Sequence, residues 1–168
     1  AVFSSSNNFA NSTIAYTITG APAVNTADAG GQGYVGLEFA PTTGHTQALG
    51  VITNPVDGVG PYDKAGVVLG GTTIGNTVQE ITYAPTGNSR YGRVWKQGSG
   101  TWTTGDLKTG ILSVDGGTLI VNGTITTDYA GLYMLSGTLS GDATVFKNDR
   151  RAANEFVSGS GIAPGDGI

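Results

Sequence analysis

Gly116-Gly117-Thr118-Leu119-Ile120-Val121-Asn122-Gly123 and Ser136-Gly137-Thr138-Leu139-Ser140-Gly141 are two versions of one phrase. Ser158-Gly159-Ser160-Gly161-Ile162-Ala163-Pro164-Gly165-Asp166-Gly167 is a third. Gly117 and Gly137 lie 20 residues apart, and Gly137 and Gly159 lie 22 apart. Small turn residues bracket short strands in which apolar side chains alternate. A drifting period near 20 of this kind fits one coil of a β-solenoid per repeat. Inward positions would then be Leu112, Val114, Leu119, Val121, Leu132, Met134, Leu139, Val145 and Val157, filling a narrow core.

The rest of the composition agrees with turn-rich β-structure. Charged residues make up 12% of the 168 residues, about half the usual share. Glycine contributes 29 residues without a triplet period, so collagen is excluded. The net charge is −4, and the eight basic residues form no stripe. Nucleic acid is therefore not an expected partner. No apolar run reaches the roughly 18 residues of a spanning helix, so membrane insertion is not expected. The absence of cysteine removes disulfides and thiolate metal sites. Position 1 is Ala, not Met, which is consistent with a processed or trimmed chain. Low charge with abundant Thr, Gly, Ser and Asn favours an extracellular protein.

Taken in order, residues 1–11 read as an exposed polar arm carrying Val2, Phe3 and Phe9. Residues 12–19 alternate, with Ile14, Tyr16 and Ile18 on one face of a strand. Residues 20–33 form a turn-rich loop. Further strands are expected at 34–39, 48–52, 67–69, 77–83, 91–95 and 100–103. Residues 54–66 carry two prolines and three glycines, which forbid a long helix or a central strand. Asp149 to Glu155 is the one place for a short helix, with an Asp at its start and two alanines inside. No linker divides the chain. One β-rich domain over 1–168 is expected, with an arm and first strand at 1–19, an irregular β part at 20–105, and repeat coils at 106–168. Alone, the first 105 residues would also suit a β-sandwich or jelly roll.

The run Ser136-Gly137-Thr138-Leu139-Ser140-Gly141-Asp142-Ala143-Thr144-Val145, followed by Ser158-Gly159-Ser160-Gly161-Ile162-Ala163-Pro164-Gly165-Asp166, resembles the passenger-associated repeat of bacterial autotransporters. It is also similar to the autotransporter-associated β-strand repeat of large secreted bacterial proteins. The resemblance covers Ile111 to Asp166. It implies a right-handed parallel β-helix in a secreted or surface-exposed bacterial protein. Members of that family continue past Ala-Pro-Gly into another strand and are far longer. A short independent chain could instead be a subunit that stacks on copies of itself.

The candidate sites are few. His45, the one histidine, follows Gly44 in a turn and lacks a nucleophile motif. The nine Asp and three Glu are scattered, and Asp115 and Asp142 fall at different places in their repeats, so no carboxylate pair for glycoside hydrolysis is expected. Asp57 and Asp63, with carbonyls of the 54–63 loop, could offer oxygens to calcium, but the spacing is not that of an EF-hand. Asn11-Ser12-Thr13 and Asn122-Gly123-Thr124 match the glycosylation acceptor pattern. Neither metal nor cofactor is expected. Tyr91, Trp95 and Trp102, with Tyr83, Arg90, Arg93 and Gln97 nearby, are the candidate platform for sugar rings. The alternative is that these rings cover the end of the β-helix or pack at a subunit contact.

The expected function is structural, not enzymatic. An extracellular or surface protein would self-associate by strand-edge pairing, as a filament, surface-layer or adhesive passenger subunit. Val2, Phe3, Phe9, Ile14, Tyr16 and Ile18 are the candidate residues for that contact. The alternatives are a carbohydrate-binding adhesin and a viral capsid or fibre protein.

Overall fold

The structure, a computed structural model, describes residues 2–3, 7–15, 35–54, 65–83, 93–147, 155–156 and 161–164. No helix occurs among the described residues. The strands are β1 (Val2–Phe3), β2 (Asn7–Ala15), β3 (Val35–Phe39), β4 (Gln47–Asn54) and β5 (Ala65–Leu69). Next come β6 (Asn76–Tyr83), β7 (Arg93–Gln97), β8 (Thr101–Thr104), β9 (Leu107–Asp115) and β10 (Thr118–Val121). The last five are β11 (Thr124–Met134), β12 (Thr138–Gly141), β13 (Thr144–Lys147), β14 (Glu155–Phe156) and β15 (Gly161–Pro164).

Every described pair is parallel, and the registers sort into three ladders. The first joins β1, β3, β5, β7, the second half of β9, the second half of β11, and β14. The second joins the first halves of β2, β4 and β6 to β8, β10, β12 and β15. The third joins the second halves of β2, β4 and β6 to the first halves of β9 and β11, then to β13. The chain visits the ladders in the order one, two, three, and then begins again. Long strands such as β4 and β11 belong to two ladders, which links all fifteen into one sheet. The architecture is all-β with parallel pairing, compatible with a β-solenoid.

Two expectations need correcting. The described part of the first 105 residues is not irregular: it enters the same three ladders as the repeats. Its period was hidden by uneven connections. Phe39 pairs with Leu69 and Leu69 with Lys96, steps of 30 and 27 residues. Lys96 pairs with Val114 and Val114 with Met134, steps of 18 and 20. Nor are residues 7–11 a free arm, because Asn7, Asn8 and Phe9 pair with Gln47, Ala48 and Leu49. A sandwich or jelly roll is built of antiparallel pairs, and the described pairs are not. Glu155 begins a strand; the remainder of the expected helix at 149–154 lies outside the described residues.

The core consists of columns that run across the strands. Ile52, Ile81, Leu107 and Ile125 follow one another in the third ladder, all buried. Trp102, Leu119 and Leu139 do so in the second. Val67, Val94, Leu112 and Leu132 do so in the first. Period-2 alternation sends every other side chain inward, and parallel register lines up like with like. Of the nine expected core residues, seven are buried. Val145 is not, and Val157 lies outside the described residues.

The corner between ladders one and two is closed by glycine. Gly100 N donates to Gly71 O at 3.1 Å, Thr118 N to Gly100 O at 3.2 Å, and Thr138 N to Gly117 O at 2.8 Å. The corners therefore stack backbone on backbone. Gly117 has a φ of +58°, and a Cβ there would lie 2.3 Å from Gly100 O. Only glycine tolerates that conformation together with that closeness. Asn76 is buried at the same corner and ties three passes together. Its Oδ1 accepts from Gln47 N at 3.0 Å, while Nδ2 donates to Thr73 O at 2.8 Å and Thr101 O at 3.1 Å.

Candidate functional site

The two tryptophans part company. Trp102 on β8 is 0% exposed. Its Nε1 donates to Gly70 O at 2.8 Å, and its ring meets Phe39 edge-on at a centroid distance of 6.5 Å. It offers no face to a sugar, and its place in the proposed platform is withdrawn. A large amphipathic ring gains most where its N–H finds a buried acceptor, and the stacked corner supplies one. Trp95 lies on β7 with the opposite parity, outside the core columns and half-buried. The Arg93 guanidinium covers one face of its ring at 4.0 Å. Arg93 Nε and Nη2 also donate to Ser113 Oγ, at 3.0 and 2.7 Å. A cation–π contact and a bound hydroxyl thus occupy that face of the ring. Tyr91 lies outside the described residues.

Val2 and Phe3 pair with Glu38 and Phe39. Phe9 pairs with Leu49, and Ile14 with Ile52. These four candidate self-association residues therefore sit in the first rungs of the ladders. Tyr16 and Ile18, and the calcium candidates at 55–63, lie outside the described residues. His45 is exposed in a turn, its N–H donating to Thr42 O at 2.9 Å. Asp115 Oδ1 accepts from Ser136 Oγ at 3.2 Å, while Asp142 is exposed at a different corner. Among the described residues, no three His, Asp or Glu gather where a cation could sit.

The feature that stands out is the last rung. In the third ladder Leu107, Ile125 and Val145 are successive partners. The first two are buried, yet Val145 is 48% exposed. In the second ladder Ile162 follows Leu139, which is buried, and is itself 55% exposed. Among the described residues, β13 has a partner on one side, β11, and β15 has one, β12. Backbone donors and acceptors on the other side of each strand point away from the ladder, beside two uncovered apolar side chains.

Compared with known proteins, the chain matches no family model, no curated protein and no solved structure.

Lys96 escaped the sequence reading. It occupies the column of Leu69, Val114 and Met134 and is 0% exposed. Its Nζ donates to the carbonyls of Gln97 at 2.8 Å, Gly98 at 3.0 Å and Gly116 at 3.0 Å. Burial lowers its pKa from 10.5 to about 8, because desolvation disfavours the charged form. The signal was available: in Arg93-Val94-Trp95-Lys96-Gln97, alternation puts Lys96 with Val94. Its charge argued for solvent, and three carbonyls at the glycine corner made burial tolerable.

Proposed function

We propose that the chain winds as a right-handed parallel β-solenoid and serves as a non-enzymatic structural subunit outside a bacterial cell. It joins further copies through its open strand edges. The observation that carries this is the exposure of Val145 and Ile162, at positions whose ladder partners are buried in the preceding passes. A strand added in parallel to β13 or β15 would satisfy the outer backbone groups and cover both side chains. Burying the exposed part of each is worth about 1 kcal/mol, with backbone hydrogen bonds in addition. On the opposite side, β1 and β2 have β3 and β4 as their described partners. Val2, Phe3, Phe9 and Ile14 are carried on those two strands. One end meeting the other is a head-to-tail contact, which generates open filaments.

The extracellular, surface or adhesive setting rests on the low charge and on the resemblance of residues 111–166 to autotransporter repeats. The capsid alternative of jelly-roll type loses support, since it needs antiparallel pairs.

Sedimentation and negative-stain imaging of the 168-residue chain test the proposal. Assemblies are expected that shrink on Val145→Lys with Ile162→Lys, and on removal of residues 1–19. A wild-type chain that stays strictly monomeric at high concentration refutes it.

A further inference from the structure

We infer that Asn122 is a site of spontaneous covalent modification, in which its side-chain amide closes onto Gly123 N and water reopens the ring to aspartate or isoaspartate. Asn-Gly occurs once in the chain. It stands in the corner between ladders two and three, just after β10. The side chain of Asn122 is exposed. Among the described residues, neither its amide nor Gly123 N has a hydrogen-bond partner. The atoms on either side are held: Asn122 N donates to Thr104 O at 2.9 Å, Thr144 N to Gly123 O at 3.1 Å, and Thr124 N to Asp106 Oδ1 at 2.7 Å. Electrophile and nucleophile are thus neighbours in a fixed turn with no competing bond, and an intramolecular attack gains from that proximity. Gly123 has no side chain to shield its nitrogen. The fold keeps it so, since a Cβ there would lie 2.9 Å from Asp106 N.

The chemistry needs only water. Gly123 N gives up its proton and attacks Asn122 Cγ; a C–N bond forms, and the Cγ–Nδ2 bond breaks with release of ammonia. Water then adds to one carbonyl of the cyclic imide, the bond from that carbon to Gly123 N breaks, and the nitrogen regains a proton. Opening at Cγ leaves aspartate; opening at the main-chain carbonyl leaves isoaspartate. Other positions lack this combination. Asn76 is buried, its side chain is bonded to Gln47, Thr73 and Thr101, and Thr77 follows it. Asn54 precedes Pro55, whose nitrogen carries no proton. In Asp115-Gly116 the carboxylate is a poorer electrophile and accepts from Ser136 Oγ. Either product adds a carboxylate beside Asp106 and in line with Asp142, which precedes Thr144 by two residues as Asn122 precedes its partner Thr124. Like charges on neighbouring strands are destabilising. Isoaspartate also lengthens the main chain by one carbon where Asn122 and Gly123 stitch three passes together. The last third-ladder strand, β13, is thereby loosened.

Peptide mapping by mass spectrometry of the 168-residue chain, held folded in mildly alkaline buffer, tests this. The peptide containing Asn122 is expected to gain the mass difference between amide and acid and to split into aspartate and isoaspartate forms, while Asn76 stays intact. The rate should fall within about tenfold of that of the free peptide of residues 118–127, since no hydrogen bond to the reacting atoms has to open first. Asn122→Gln, whose larger ring closes more slowly, should stay unmodified with unchanged circular dichroism. Freshly made Asn122→Asp adds the charge alone and should melt about 1–4 °C below wild type, with fully aged wild type lower still. Three outcomes overturn the inference: modification more than about tenfold slower than in the free peptide, Asn76 modified as fast as Asn122, or a sugar on Asn122 in place of the acid. Aged wild type that melts no lower than Asn122→Asp overturns the loosening of β13. None of these readouts depends on self-association.

Discussion

The middle passes and the last pass use the same columns and reach opposite outcomes. In the middle, a lysine is buried: Lys96 gives its three donors to corner carbonyls and sits between Leu69 and Val114. In the last pass a valine and an isoleucine are uncovered, although Val145 continues the column of Leu107 and Ile125. Burial here follows from having a rung on both sides, more than from the type of residue. Repeat architectures behave this way because each unit is covered only by its neighbours.

Paired substitutions within one column break or sharpen that comparison. The largest effect is expected from Trp102→Ala, at about 3–5 kcal/mol of unfolding free energy. Ile162→Ala, further along the same column, should cost less than about 1 kcal/mol, because half of that side chain is already in water. Equal losses in urea titrations would show that the last rung is covered in solution. Next comes Gly117→Ala, expected to cost about 1–3 kcal/mol from the left-handed conformation, with the contact to Gly100 O added. Thermal unfolding of the variant checks it.

Thr104→Val should go the other way and stabilise by about 1 kcal/mol. It removes an unpaired hydroxyl from a column shared with Val78 and Val121. A loss of stability would mean that the hydroxyl has a partner in solution. Lys96 makes the comparison pH-dependent. Its folded pKa of about 8 lies below the unfolded 10.5. Between those values the unfolded chain binds more protons, so this group's contribution to stability rises with pH. Below about pH 8 the cost of burying the charge is fully present. The melting temperature of wild type relative to Lys96→Met should therefore climb by about 7–14 °C if the whole shift is expressed across that window. A flat difference would place the ammonium in contact with water. The smallest effect on stability is expected from Val145→Lys, within about 0.5 kcal/mol, though it should disperse assemblies.

Much of the fold was legible. The phrases at 116–123 and 136–141 gave strand, parity and corner, and the partners Thr118–Thr138, Leu119–Leu139 and Ile120–Ser140 are the register those phrases imply. The earlier passes were harder to see because insertions such as 16–34 and 55–64 separate rungs that are adjacent in space. The aromatic platform was misread at Trp102. Clustering in sequence does not say which side of a strand a ring takes, and Trp95 and Trp102 take opposite ones.

By itself, the sequence determined the β class, the inward and outward alternation of each strand, and the places where only glycine turns the corner. Those are local properties, set by φ/ψ preferences and a two-residue period. The tertiary structure alone decided which inward positions are covered, which tryptophan is core, and that a lysine could be buried. Each of those depends on the rungs above and below, contributed by residues some 20 to 30 positions away.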